Sequence, residues 1–169
     1  MSKKIKNIKK YTIKKVTVDP IYKSYWYSKF LNKLMLDGKK HVIEKTISKV
    51  FLKFKLKYKV KPTMMLFVIL LRLRPLVGFI PKRLGGNWKQ IPVPIEARRQ
   101  VVFALKWLID HIKLENEFSL HNRVLSTFYT IFRKKPKNKR AKPNDLLKKK
   151  KEHYFKAITD RINSRFRWQ

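Results

Sequence analysis

The chain has 169 residues, of which 44 are Lys or Arg and 10 are Asp or Glu, so its formal net charge is +34. This charge favours a polyanionic partner, because self-repulsion of that size would destabilise the chain on its own. The 44% hydrophobic and 13% aromatic residues argue for a packed core and against a wholly disordered basic tail. The sequence contains no cysteine, which excludes disulfides and thiolate metal sites. The length fits one domain most simply.

One apolar run raises the question of a membrane. Residues 64–71 read MMLFVILL, eight apolar residues that are followed by Arg72. A spanning helix needs about 20 apolar residues, so we expect a buried core helix and no membrane insertion. Anionic membrane surfaces would nevertheless attract this charge, which leaves a peripheral membrane protein as an alternative. The N-terminus lacks an apolar run of the secretory type, so no secretory signal is expected.

The first element is a basic segment, residues 1–18, which contains no acidic residue. We interpret it as an arm that lies on phosphates, and the alternative is a solvated, disordered tail. Residues 19–169 are expected to form a single helical domain that binds RNA. The lysines of the arm are Lys3, Lys4, Lys6, Lys9, Lys10, Lys14 and Lys15.

A helix is predicted to begin at Asp19-Pro20, with Asp19 as the N-cap and Pro20 in the first position. Asp37-Gly38 is predicted to end this helix, because glycine suits the left-handed position that follows a helix. The apolar residues between these two points repeat at helical spacing and include Tyr22, Trp26, Phe30 and Leu34.

Two further helices follow in the pattern. The second is predicted over residues 39 to about 55, and the third over residues 64–73, with Thr63 as a possible cap and an apolar surface nearly all round. The apolar face of the second helix consists of Ile43, Ile47, Val50, Phe51 and Phe54.

A β-ribbon is predicted over about residues 76–93, with residues 76–82 paired to residues 87–93. Gly85-Gly86 supplies the positive-φ residues of a tight hairpin turn. Three prolines remove hydrogen-bond donors from this stretch, so it is not a central strand. A lone hairpin is marginally stable in water, so we expect an arm that is mobile until it meets a partner.

The remaining helices are predicted over residues 96–113, residues 119–133 and from about Asp145 onward. The basic loop 133–143 has seven Lys or Arg in eleven residues and is expected to be exposed. In the last helix, one face is predicted to carry Phe155, Ile158, Ile162 and Phe166. The fold class is therefore mainly α, a six-helix, bundle-like domain with one protruding β-hairpin between helices 3 and 4.

The sequence offers little for catalysis. Its four histidines have no local metal spacing, and His121 and His153 fit a phosphate-side or capping role better than metal ligation. Several of the ten carboxylates fall at helix ends, and no phosphate-loop or nucleophile motif is present. We therefore expect no enzyme, no catalytic or metal-binding residues and no cofactor.

Nucleic-acid binding fits the pattern better. The cations are spread over arm, helices, ribbon and C-terminus, a distribution typical of a protein set into a large folded RNA. Lysine exceeds arginine, which favours phosphate contacts over base readout. The alternative is a helical DNA-binding or architectural protein, although a helix-turn-helix protein would concentrate base-reading residues on one helix.

Three segments make the chain resemble the small-subunit ribosomal protein seven family. The first is DPIYKSYWYSKFLNKLMLDGKK (residues 19–40), and the second is KRLGGNWKQIPVPIEARRQVVFALKWLI (residues 82–109). The closing FRW (residues 166–168) is similar to the aromatic-Arg-Trp end of that family. Order and spacing hold over roughly residues 19–169. Pro-Val-Pro at residues 92–94, the paired arginines and the Lys-Trp look most like mitochondrial members.

The resemblance implies a six-helix domain with a hairpin between the third and fourth helices. It implies binding to the 3′ major (head) domain of small-subunit rRNA, assembly of the subunit head, and a hairpin near exit-site tRNA and the mRNA exit path. Neighbouring head proteins and ribosomal protein eleven of the same subunit are the implied protein partners. The implied location of the protein is the mitochondrial matrix, where it would be bound to ribosomes. The absence of an obvious presequence is compatible with an organellar gene.

Charge and resemblance together select the candidate site residues. Besides the arm lysines, the rRNA-binding candidates are Lys39, Lys40, Arg98, Arg99, Lys148, Lys149, Lys150, Arg165 and Arg167. The hairpin candidates for the tRNA and mRNA exit region are Lys82, Arg83, Gly85, Gly86, Trp88 and Lys89. The chain departs from the family in three places. Its basic loop 134–143 is longer than the family's turn, and Asp160-Arg161 followed by the bulky Ile162 replaces the family's small-residue pattern. His153 lies one position away from the place of the family's histidine.

Overall fold

The computed structural model describes residues 18–132 and 145–168. Within them the chain forms six α-helices, a two-stranded antiparallel hairpin between the third and fourth helices, and a C-terminal 3-10 helix, which confirms the predicted fold class. The elements are α1 Tyr25–Leu34, α2 Lys40–Tyr58, α3 Pro62–Leu73, β1 Val77–Leu84, β2 Asn87–Pro94, α4 Ala97–Leu114, α5 Leu120–Phe132, α6 Asp145–Thr159 and the 3-10 helix Asp160–Trp168. The arm lysines and the whole of the basic loop 133–143 lie outside the described residues.

The core lies between α1, α2, α3, α4 and α5 and is centred on aromatic rings. The ring of Phe128 on α5 has its centroid 6.0 Å from that of Phe30, 6.5 Å from Phe51 and 6.0 Å from Phe54. These side chains are almost completely buried, as the apolar spacing of α1 and α2 predicted for Phe30, Phe51 and Phe54. The helix α6 adds Leu146 to this core, and the partly buried Leu147 packs against it.

The apolar run at residues 64–71 lies in α3. Met65, Leu66, Ile69 and Leu70 are buried in the core, while Met64 and Phe67 remain partly exposed. None of the helices in residues 18–132 and 145–168 has the length and apolarity needed to cross a membrane. The prediction of a buried core helix is thus confirmed for one face of α3, while the opposite face is exposed in part.

The predicted ends of α1 are wrong. The Asp19 carboxylate accepts hydrogen bonds from the backbone N–H groups of Ile21 (3.2 Å) and Tyr22 (2.9 Å). This closes a separate turn, which Lys23 ends in a left-handed conformation (φ 45°), so the helix begins only at Tyr25. At the other end, Met35 leaves the helix in an extended conformation, and Gly38 (φ 71°) serves the turn that follows.

The helix α3 starts earlier than predicted, and Thr63 does not cap it. Lys61 is the N-cap residue and Pro62 occupies the first helical position, where its missing N–H costs nothing. Thr63 is therefore already inside the first turn.

The last helix turns its predicted apolar face outward. Phe155, Ile158 and Ile162 are 69%, 69% and 70% exposed, so they do not form the packing face. Beyond Thr159 the chain tightens to a 3-10 helix, which has three residues per turn. The partly buried residues accordingly recur every three positions, at Asp160, Asn163 and Phe166, on the side that faces β2.

Tyr27 is the most perturbed titratable group of the core. Its side chain is 1% exposed, and its ring centroid lies 4.7 Å from that of Tyr22. Burial, with smaller contributions from Asp19 and Tyr22, raises the pKa of the Tyr27 hydroxyl far above its ordinary value of 10.0. The folded state therefore keeps this proton at a pH at which the unfolded chain loses it. Stability must fall as the pH rises above the unfolded pKa.

Replacing Tyr27 by phenylalanine should reduce this alkaline loss. At neutral pH, Tyr27→Phe removes the hydrogen bond between the Tyr27 hydroxyl and Ser48, which should cost about 1 kcal/mol. Above the ordinary pKa, the free energy of unfolding should fall less steeply with pH in the variant than in the parent chain. Urea unfolding over a series of alkaline pH values measures both slopes, and equal slopes would contradict the assignment.

Candidate nucleic-acid interface

The hairpin presents different chemistry on its two faces. The strands pair Lys82 with Lys89 and Arg83 with Trp88, and Gly85 (φ 56°) and Gly86 (φ 86°) form the turn. Both central residues have positive φ, which is the type I′ geometry expected from Gly85-Gly86. Because side chains alternate along a strand, Lys82 and Lys89 share one face while Arg83 and Trp88 share the other.

The outer half of the hairpin is exposed and cationic. Arg83 and Lys89 are exposed, and the Trp88 ring is 71% exposed. Like charges that lie directly across a strand pair repel each other, so Lys82 opposite Lys89 favours a bound anion. An exposed indole beside cations adds a surface on which bases can stack.

The C-terminal 3-10 helix supports the hairpin along β2. The Lys82 Nζ donates to the Phe166 carbonyl oxygen (3.2 Å), and the Asn163 Nδ2 donates to the Gln90 carbonyl oxygen (3.4 Å). Ile91, in the middle of β2, is only 2% exposed. The sequence predicted a hairpin without support, and this expectation is wrong because its supporting element lies far along the chain.

The base of the hairpin is held by α6. The Leu76 backbone N–H donates to the Tyr154 hydroxyl (2.9 Å), and the His153 Nε2 lies 2.7 Å from the Val77 carbonyl oxygen, to which it donates. The His153 ring centroid lies 4.9 Å from that of Phe79 and 5.3 Å from that of Trp107. His153 therefore joins α6 to the base of β1 by packing and hydrogen bonding. The predicted phosphate-side or capping role of His153 is wrong.

Arg98 and Arg99 are exposed in the first turn of α4, beside the start of α1. The Arg98 side chain hydrogen-bonds the Tyr25 hydroxyl and, with a smaller contribution from Lys29, holds the pKa of Tyr25 below its ordinary value. The Lys29 Nζ lies 5.5 Å from the Tyr25 ring centroid, and the Trp26 ring lies 5.2 Å from it. Sequence reasoning missed this group of aromatic and basic side chains. The four-residue spacing of Tyr25 and Lys29, which makes them neighbours on a helix surface, could have indicated part of it.

The remaining candidates lie at separate places on the surface. Lys39 and Lys40 are exposed at the turn into α2, where the Lys40 Nζ lies 3.3 Å from Glu44. This turn neighbours the C-terminal end of α4, whereas Arg98 lies at its start. An 18-residue helix is about 27 Å long, so these cations are not brought together.

The cations of the C-terminal segment divide into two groups. Lys148, Lys149, Arg165 and Arg167 are exposed, and the Arg165 guanidinium lies 5.3 Å from the Phe166 ring centroid. Lys150 is partly buried, and its Nζ donates to the Arg72 carbonyl oxygen (2.6 Å) at the end of α3. Burial, and then repulsion by Arg74, lowers the pKa of Lys150. Lys150 therefore holds α6 against α3.

Four of the carboxylates gather in one groove, which Lys149 also lines. Asp110, Glu115, Glu117 and Asp145 line one groove at the C-terminal end of α4. Among the described residues, no group of three or more His, Asp or Glu side chains is arranged to hold a metal ion. The geometry thus offers exposed cationic surfaces on several sides and no candidate metal centre in the described part of the chain.

These features define a class of protein, a mainly helical and strongly basic protein with a supported basic hairpin. The family model described as "Ribosomal protein S7p/S5e" matches residues 5–152 of the chain. The chain therefore belongs to the ribosomal protein S7p/S5e family, which consists of structural ribosomal proteins and not of enzymes. This confirms the resemblance drawn from the two long motifs.

Bacterial relatives cover nearly all of the chain. The small ribosomal subunit protein uS7 of Helicobacter hepaticus is 32% identical over 160 residues, which are 95% of this chain and 98% of the relative. The uS7 protein of Pelagibacter ubique is 29% identical over 155 residues, with 92% of this chain and 94% of the relative covered. That of Thermosipho africanus is 28% identical over 156 residues, or 92% of this chain and 96% of the relative.

Proposed function

We propose that the chain is a structural constituent of the small ribosomal subunit that binds the 3′ major (head) domain of its rRNA and helps to assemble the head. The observation that carries this proposal is the match to the ribosomal protein S7p/S5e family over residues 5–152. The spread of exposed cations over α2, α4, α6 and the 3-10 helix supports it, because a folded RNA presents phosphates on several sides.

The proposed rRNA surface consists of the exposed cations and the N-terminal arm. Counterion release from phosphates would supply most of the affinity, so binding should weaken steeply as salt increases. Lys150 contributes less to this surface than its neighbours Lys148 and Lys149, because its ammonium group already donates to the Arg72 carbonyl. The arm is assigned from charge alone.

We further propose that the hairpin lies near exit-site tRNA and the mRNA exit path. Arg83, Trp88 and Lys89 would offer two cations and a stacking ring to a passing nucleic acid, while the turn at Gly85-Gly86 keeps the tip narrow. Ribosomal protein eleven and neighbouring head proteins would be the protein contacts. The Pro-Val-Pro at residues 92–94 and the Lys-Trp in α4 support a mitochondrial location.

Sucrose-gradient sedimentation of fractionated cells tests this function. An epitope-tagged chain should be found in the mitochondrial fraction and should co-sediment there with small subunits. Raising the salt concentration should release it progressively. Sedimentation away from small subunits would contradict the proposed ribosomal function. Co-sedimentation with small subunits in a non-mitochondrial fraction would contradict only the proposed location. Sequencing of crosslinked nucleic acid should return small-subunit rRNA, whereas predominantly DNA reads would favour an architectural DNA-binding protein.

A further inference from the structure

An apolar groove opens at the end of the helix bundle, where the turn into α2 meets the end of α4 and the start of α5. Its volume is about 440 Å³. The floor is formed by core residues, Leu34, Ile43 and Ile112, which are at most 6% exposed. At its mouth Leu36 and Val42 remain 64% and 60% exposed. Apolar side chains thus run without interruption from the core to solvent.

The edge of this groove is cationic. Lys39, Lys113 and Arg123 line it, and among the residues that the structure describes no carboxylate does. The Arg123 Nε donates to the Glu117 carbonyl oxygen (2.6 Å), whereas Lys39 and Lys113 are exposed. An apolar floor with a basic edge matches a ligand that is apolar in the middle and acidic at its ends.

Other occupants fit this groove poorly. RNA would satisfy the cations, but its phosphates and riboses would leave Leu36 and Val42 without apolar contacts. A second copy would bring another +34 charge against the first. A protein segment meets both requirements, because it can place aliphatic or aromatic side chains in the groove and carboxylates beside the lysines.

We propose that this groove is a docking site for a short protein segment with apolar residues flanked by Asp or Glu, contributed by a neighbouring protein. An apolar side chain of the segment lies between Leu36 and Val42, and its carboxylates lie beside Lys39 and Lys113. The identity of the neighbour as a subunit protein rests on the proposed function, whereas the binding chemistry does not. Lys39 then borders both the proposed rRNA surface and the groove.

Peptide binding to the isolated full chain tests the chemistry. The probe is a fluorescein-labelled synthetic peptide with two leucines flanked by glutamates, and its matched control has serine in place of leucine at the same charge. We expect the leucine peptide to bind about 10-fold more tightly, because burying two side chains adds at least about 1.4 kcal/mol. Equal affinities would show attraction by charge alone and would overturn the proposal.

Paired variants locate the effect in the groove. Leu36→Ser with Val42→Ser should abolish the preference for the leucine peptide. Leu56→Ser with Ile158→Ser, which changes two aliphatic residues that are 81% and 69% exposed elsewhere, should keep it. All four side chains are exposed, so the melting temperatures should remain close to that of the parent chain. A preference that survives in the groove variant, or is lost in the control, would overturn the proposal.

Crosslinking in the assembled subunit tests the occupant. Because the chain has no cysteine, Val42→Cys supplies a unique thiol. Maleimide should label it in the free protein and much less in small subunits. A benzophenone amino acid in place of Leu36 should crosslink there to an acidic and apolar protein segment. A crosslink to rRNA or to a second copy, or unchanged labelling, would refute the docking site. If the chain did not co-sediment with small subunits, the proposed function would be refuted instead. The preference for the leucine peptide would then test the docking groove independently.

Discussion

Ribosomes that carry Arg83→Glu together with Lys89→Glu should bind exit-site tRNA at least about 10-fold more weakly than ribosomes with the parent chain. The two substitutions reverse the exposed charges of the hairpin tip, one on each face, and repel a phosphate backbone that the parent attracts. In the isolated chain, the slope of log affinity for tRNA against log salt should fall by about two, one unit for each lost cation. Filter binding measures the slope, and tRNA dissociation from purified ribosomes measures the affinity.

A matched charge reversal on α2 provides the control. Lys45→Glu with Lys53→Glu changes the net charge equally at two exposed positions away from the hairpin. Exit-site tRNA affinity should change much less in this variant, and helicity should be unchanged in both. Equal losses in the two variants would show that total charge, rather than the hairpin, sets the affinity. Lys82 is unsuitable for this test because its Nζ also supports the hairpin through Phe166.

Replacing Phe128 by alanine should lower the free energy of unfolding by about 3–5 kcal/mol. The ring is completely buried and lies between the rings of Phe30, Phe51 and Phe54, so its removal leaves a cavity where three helices meet. A loss of this size is a large part of the stability of most domains, so the variant should unfold at a much lower denaturant concentration.

The same substitution at Phe155 is the control. That side chain is 69% exposed on the outer face of α6, so Phe155→Ala should change the free energy of unfolding by less than about 0.5 kcal/mol. Urea unfolding followed by circular dichroism measures both variants. A comparable loss in the two would mean that α6 packs through the face carrying Phe155, as the sequence suggested, and would contradict the described orientation.

The parts of the fold that sequence reasoning predicted correctly are those determined by local patterns. The helical spacing in α2 identified its buried face, and Gly85-Gly86 located the hairpin turn, whose position the structure confirms. The family motifs then supplied the architecture. Local rules were sufficient because these elements bury one regular face or require one backbone conformation.

The errors arise where the conformation depends on contacts with distant parts of the chain. The change from α to 3-10 geometry at Asp160 places Asn163 rather than Ile162 on the packing face and keeps Phe166 there, in the segment that contacts β2. Asp19 has the capping chemistry predicted for it, but the left-handed Lys23 separates its turn from α1. The contact between Arg98 and Tyr25 joins two helix starts that are far apart in sequence.

The support of the hairpin by the C-terminal segment has a consequence for how the protein is made. The hydrogen bonds between them join residues 73 to 84 positions apart, with the supporting residues on the C-terminal side of the hairpin. A chain synthesised from its N-terminus therefore exposes the hairpin well before its supporting element exists. Each new molecule passes through a stage in which most of the helical core can assemble while the hairpin stands alone. The hairpin therefore gains its support only after residues 163–166 have been synthesised.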